Sequence, residues 1–120
     1  MGTIAKIALS GSTQGRPIQV SATATPGTTI HTTGTSATVI DEIWLYATNN
    51  DLVQRNLTIE FGSTGTANEI SVAIPAKSGL SILATGLILR GNGSAGLTVS
   101  AFASATNVIS VVGYVNRITP

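Results

Sequence analysis

Apolar residues recur at alternate positions along most of the chain, and few segments keep a helical period. Alternation of this kind places one set of side chains on each side of a pleated strand. Thr, Ile and Val dominate the alternating runs, and β-branched side chains favour strands because helices restrict their rotamers. Gly, Pro and Asn punctuate the chain at short, even intervals, as expected for a sandwich or barrel of short strands. The runs are Ile4–Leu9, Pro17–Thr23, Thr28–Thr33, Thr38–Thr48, Asn56–Phe61, Glu69–Ile74, Leu80–Leu83, Leu87–Arg90, Leu97–Ala103 and Val108–Ile118. Thr38–Thr48 is the longest, with Val39, Asp41, Ile43 and Leu45 on one face and Ile40, Glu42, Trp44 and Tyr46 on the other. Both faces are largely apolar, which predicts a central strand covered on both sides. In Asn56–Phe61, Leu57, Ile59 and Phe61 face inward and Asn56, Thr58 and Glu60 outward.

Gly62–Asn68 reads as a flexible hairpin loop, Gly86 as the start of a new strand and Gly91-Asn92-Gly93 as a further hairpin signal. The expected fold is all-β: a two-sheet antiparallel sandwich, jelly-roll-like, of eight to ten short strands. An immunoglobulin-like sandwich is the competitor, but its Cys and buried-Trp signature is incomplete. Residues 1–16 stand apart as an N-terminal edge strand or arm, because Ser10–Gly15 has few groups to pin it down. Residues 17–120 form a single β-sandwich domain.

Composition turns this fold into a statement about surfaces. The chain has 120 residues, enough for one core, and 42% of them are apolar. Only 9% are charged, against about 25% in an average soluble domain. Thr, Ser, Asn, Gly and Ala stand where a monomer would carry Lys and Glu. Such a surface is cheap to desolvate, because burying a hydroxyl costs much less than burying a charge. A large part of it is therefore expected to lie in permanent contact with other chains. The net charge of +1 comes from scattered basic residues, with no run that could neutralise a series of phosphates, so no nucleic acid is expected. Cys is absent, which excludes disulfides and thiolate metal sites. The N-terminus lacks the layout of a signal peptide. The charge-free stretch Gly91–Asn116 is broken by Gly91, Gly93, Gly96 and Asn107, so it reads as two strands and no membrane association is expected.

Catalytic chemistry has little to build on. The lone histidine, His31, lies in a Thr-rich run without a neighbouring acid and reads as a hydrogen-bonded strand residue. A triad needs a base oriented by a third group, and a zinc site needs three or four ligands. Asp41 and Glu42 are adjacent and so point to opposite faces, which rules them out as a paired acid and base. One of them is expected to pair with Arg90 or Arg117, through the Arg–carboxylate fork. Asn49-Asn50-Asp51 offers too few carboxylates for calcium. No catalytic, metal or cofactor-binding residue is expected, and the chain reads as no enzyme. Trp44 and Tyr46 could form a sugar platform, but read better as core or interface packing.

Four segments together resemble a known group: Ile40-Asp-Glu-Ile-Trp-Leu-Tyr-Ala-Thr-Asn49, Leu57-Thr-Ile-Glu-Phe-Gly62, Ile74-Pro-Ala-Lys-Ser-Gly-Leu80 and Gly113-Tyr-Val-Asn-Arg-Ile118. They are similar to small capsid decoration, or cement, proteins of tailed bacteriophages. The resemblance implies a virion structural protein, made in the host cytoplasm and placed on the outer capsid surface. It implies a homo-oligomer, a trimer, that bridges subunits of the major capsid protein and stabilises the head. The group has no catalytic residues to carry over. Candidate interface residues are Ile4, Ile7 and Leu9 on the first strand or arm, with Trp44, Tyr46, Arg90 and Arg117. The alternatives are a receptor- or carbohydrate-binding β-sandwich module of a phage tail or fibre, and a small jelly-roll hydrolase or isomerase.

Overall fold

A computed structural model describes residues 2–120; position 1 of the N-terminal segment lies outside the described residues. Its strands are β1 (Thr3–Ala8), β2 (Ile18–Gln19), β3 (Thr28–Thr32), β4 (Ile40–Asn49), β5 (Arg55–Gly62), β6 (Glu69–Ile74), β7 (Ser81–Leu89), β8 (Thr98–Ala103) and β9 (Ile109–Thr119). One sheet has the order β1-β9-β4-β7, with β2 also paired to β9; the other has the order β3-β8-β5-β6. All pairings are antiparallel. The protein is therefore an all-β, two-sheet sandwich.

The pairs β1·β9, β3·β8, β4·β7 and β5·β6 nest inside one another along the sequence. This is one long hairpin, with its tip at Gly62–Asn68, rolled so that its rungs fall alternately in two sheets. The contacts β9·β4 and β8·β5 seal the roll. The connectivity is that of a jelly roll. A short 3-10 turn, Thr66–Asn68, tightens the tip that was expected to be a plain flexible loop.

Between the sheets lies a dry core: Ile43, Leu45 and Ala47 of β4, Val111 and Val115 of β9, Leu57 and Ile59 of β5, Val99 and Ala101 of β8, with Ile30 and Ile74. Each fully buried Ile or Leu contributes about 1.5–3 kcal/mol relative to exposure. β4 is central, as its length suggests, but only its Asp41, Ile43, Leu45 face is sealed. Its Ile40, Glu42, Trp44, Tyr46 face is half-buried and has no layer of this chain above it.

Three other expectations change. The run Pro17–Thr23 contributes only the two-residue β2, because Val20 and Ala22 leave the ladder to bond Ile109, Asn107 and Ala103. Leu80–Leu83 and Leu87–Arg90 are one strand, β7, in which Leu83 and Gly86 are extra residues facing β4. Gly86 has φ +83, and a Cβ there would sit 3.3 Å from Trp44 Cζ2. A side chain would thus be strained by the backbone and would press on the indole, so this bulge needs glycine. Gly91–Gly93 does turn, with the Asn92 carboxamide accepting from Ser94 and Ala95. It carries the chain from one sheet to the other and closes no hairpin.

Asn49 is also more than loop. It ends β4 fully buried, donates to the carbonyls of Val53 and Ile74 at 2.9 Å each, and accepts from the Asp51 amide. One side chain thus pins two loops. Asn49→Leu is expected to lower stability by about 2 kcal/mol by stranding these backbone groups; an unchanged urea midpoint would refute the assignment.

Candidate functional site

The closest approach to catalytic geometry is a buried chain of polar groups at one end of the sandwich. His31 on β3 and Asp41 on β4 both point inward, and His31 is wholly buried. His31 Nε2 lies 2.7 Å from Asp41 Oδ2, and its Nδ1 accepts the backbone N–H of Ser10 at 3.0 Å. Nδ1 is therefore the acceptor nitrogen and Nε2 carries the proton that Asp41 receives. From β9, the Arg117 guanidinium grips both oxygens of Asp41 at 2.7 and 2.8 Å. Burial pushes the Asp41 carboxyl up, but the Arg117 fork and the His31 bond outweigh it and hold it below the ordinary carboxylate value. Both imidazole nitrogens are used, and Ser10 Oγ is occupied by the Thr32 amide at 2.7 Å. A base needs a free nitrogen within reach of a substrate proton, and both imidazole nitrogens are engaged within the fold here.

The expected Asp41–Arg117 pair is thus present. The acid beside His31 was not visible in the sequence, because ten positions separate two residues that meet only when the sheets close. The available signal was Asp41 itself, a carboxylate on an otherwise apolar inward face, which needs partners.

Glu60 lies on the outward side of β5, as its alternation predicts, yet it is fully buried, because the segment at Thr25–Gly27 folds over it. Thr25 and Ser100 hydroxyls donate to it at 2.7 Å and the Gly27 amide at 2.8 Å. Burial raises its carboxyl, and these three donors more than compensate, leaving it lowered. Among the described residues no three His, Cys, Asp or Glu side chains converge as metal ligands. Two open clefts, of about 340 and 540 Å³, are lined by no carboxylate.

The distinctive surface is the outer face of the five-stranded sheet. The register sets it out in rows across β1, β9 and β4: Ile4, Ile118, Ile40; then Lys6, Asn116, Glu42; then Ala8, Tyr114, Trp44. Gln19, Ser110 and Thr48 extend it on β2, β9 and β4, and β7 adds Ile82 and Ile88. Ile4, Ile82 and Ile88 are 68%, 67% and 57% exposed. The Trp44 and Tyr114 rings stack with centroids 5.7 Å apart and planes within 7°, and the Lys6 ammonium covers Tyr114 at 4.6 Å. Glu42 Oε1 accepts from Trp44 Nε1 and Asn116 Nδ2, and these two bonds lower its carboxyl. Across the molecule, the outer face of the four-stranded sheet is hydroxyl-rich: Thr29, Thr32, Thr58, Ser71, Thr98 and Ser100. Hence one face is rich in hydroxyls and the other carries apolar side chains over several strands.

The candidate interface residues divide accordingly. Ile4, Trp44 and Tyr46 lie on the apolar face. Ile7 faces inward and packs against the core. Leu9 is corrected: it is 2% exposed and belongs to the core, because the chain turns inward after β1 and ties Gly11 to Ile30. Arg117 is held by Asp41, and Arg90 is exposed and donates to the Ala37 carbonyl. The segment Ile4–Ala8 lies as an edge strand along β9 in continuous register. Missed by the sequence were Leu52, Val53 and Leu80, exposed apolar residues at the loops flanking the buried Asn49. Leu52 and Val53 stand in a turn-rich stretch where alternation gives no signal, and Leu80 opens a run whose exposure depends on strand order.

No family model matches the chain, and no curated protein or solved structure matches it either.

Proposed function

We propose that this protein is a virion structural protein, a capsid decoration protein that stabilises a phage head by bridging major capsid subunits as a homo-oligomer on the outer capsid surface. The observation that carries the reading is the apolar outer face of the five-stranded sheet in a chain only 9% charged. Two of the segments that resemble decoration proteins are β4 and the end of β9, the central strands of that face. Leu52, Leu80 and Ile82 add exposed apolar area for the capsid. The His31–Asp41–Arg117 chain has its polar groups engaged within the fold, which supports a role by contact.

A carbohydrate-binding role would use the aromatic faces, but Trp44 and Tyr114 cover one another and Lys6 covers the second face of Tyr114. The test is cosedimentation with emptied, expanded heads of the phage that encodes the protein. Saturable binding is expected, and Leu80→Asp with Ile82→Glu should weaken it about tenfold or more, the cost of ~1.4 kcal/mol. Binding to immobilised glycans without binding to heads would overturn the reading.

A further inference from the structure

We propose that the outer face of the five-stranded sheet pairs with the same face of a second copy, about a two-fold axis running along β9. This rests on the contact role proposed above, names the first partner of that face, and departs from the trimer that the resemblance implies, because a three-fold axis cannot set a face against its own copy. A two-fold interface must be self-complementary, each residue meeting the copy of its counterpart. The register on this face meets that condition about an axis along β9.

Laid face to face about an axis parallel to β9, each copy sets its β1 over the other's β4. The rows then match in size and charge. Ile4 meets Ile40, Ala8 meets the bulky Trp44, and Lys6 meets Glu42. On the axis, Tyr114, Asn116 and Ile118 each meet themselves, and the Asn116 carboxamide has both a donor and an acceptor for its twin. Three neighbouring placements fail on charge. An axis along β4 sets Glu42 against Glu42. An axis across the strands through this row sets Lys6 against Lys6 as well. An axis between β9 and β4 lays β1 over β7 and drives Lys6 onto Ile88. Like charges in contact, or a charge pressed onto an alkyl surface, cost several kcal/mol.

The polar groups are left ready for this partner. Both intrachain bonds to Glu42 reach Oε1, so Oε2 accepts nothing from the described residues. Lys6 rests on Tyr114 and forms no ion pair among the described residues. Each supplies what the other's copy lacks. Stacked sheets pack about 10 Å apart with strands turned by about 30°, which keeps these central rows in contact. β7, with Ile82, projects beyond the overlap and stays available to the capsid.

The test is sedimentation equilibrium of the purified full chain, 12.1 kDa per copy. The wild type is expected at twice that mass. Ala8→Trp and Lys6→Glu change exposed side chains of an edge strand, and each should raise the dimer dissociation constant roughly a hundredfold, with circular dichroism unchanged. Lys6→Glu combined with Glu42→Lys restores opposite charges at both contacts and should recover most of the pairing. A wild type that stays monomeric at sub-millimolar concentration overturns the two-fold, as does a trimer or a charge swap that fails to rescue a folded protein. Head binding is scored separately. A monomer that binds heads defeats the pairing alone, whereas a dimer that ignores heads defeats the decoration role alone.

Discussion

Asp41→Ala is expected to lower the unfolding free energy by about 3 kcal/mol. Removing one member of a buried ion pair typically costs about 3–5 kcal/mol, because the survivor keeps its desolvation penalty. The low end applies here, since the Arg117 side chain is 35% exposed and can turn to water. His31 cannot, and its Nε2–H loses its acceptor. Arg117→Ala should therefore cost less than Asp41→Ala, because Asp41 keeps the His31 bond. Urea titration of both variants checks the order, and an inverted order would refute the account.

The same carboxyl governs acid stability. Its value is lowered in the folded protein, as is that of Glu60. The unfolded chain, with carboxyls near about 4, takes up these protons first. The stabilisation is therefore complete above that range and is lost as pH falls through the lower folded values. The slope of stability against pH below about 4 should be shallower in Asp41→Asn than in the wild type.

Gly113→Ala should be comparably damaging for a steric reason. Gly113 faces Leu45 in the β9·β4 ladder, and a Cβ on it would lie 1.9 Å from the Trp44 carbonyl oxygen. The obstacle is backbone in the middle of the main seam, so no rotamer relieves it. Opening the ladder there would part Val111 and Val115 from Ile43 and Leu45. The expected loss is about 3 kcal/mol or more, at or beyond the usual range for overpacking. Thermal unfolding of Gly113→Ala at the wild-type midpoint would falsify this placement.

Much of the fold was legible in the chain. Glu69–Ile74 is a strand from end to end as read, and β3, β5, β8 and β9 deviate by a residue or so, because clean alternation fixes both face and extent. Bulges broke the reading of β7: Leu83 and Gly86 each shift the alternation, so one strand looks like two. The brief β2 failed for the opposite reason, as Ile18, Val20 and Ala22 alternate well but part of the run bonds outside the ladder. For the surface, Trp44 and Tyr46 could be placed on one face of β4 from period alone. Which face would stay uncovered depended on the partners of β4, and strand order is a long-range property. Leu9 was misplaced because it continues the inward phase of Ile7 while Ile4 lies in the outward phase, so the three candidates were never on one face.

The nested pairing also sets an order on synthesis. Every strand of the four-stranded sheet precedes Ser104, whereas β9, which sits between β1 and β4, is the last strand to be made. At about 5–20 residues per second, all four strands of one sheet are made before β9, and until β9 follows, β1 and β2 have no partner. The five-stranded sheet then closes in a single late step that joins Thr3 to Thr119. Such distant contacts slow folding, because the loop entropy is spent before they form. Until that step, β4 presents an open edge and an unsealed apolar face. Crowded expression should therefore favour aggregation through β4, and a lower concentration of newly made chains should relieve it.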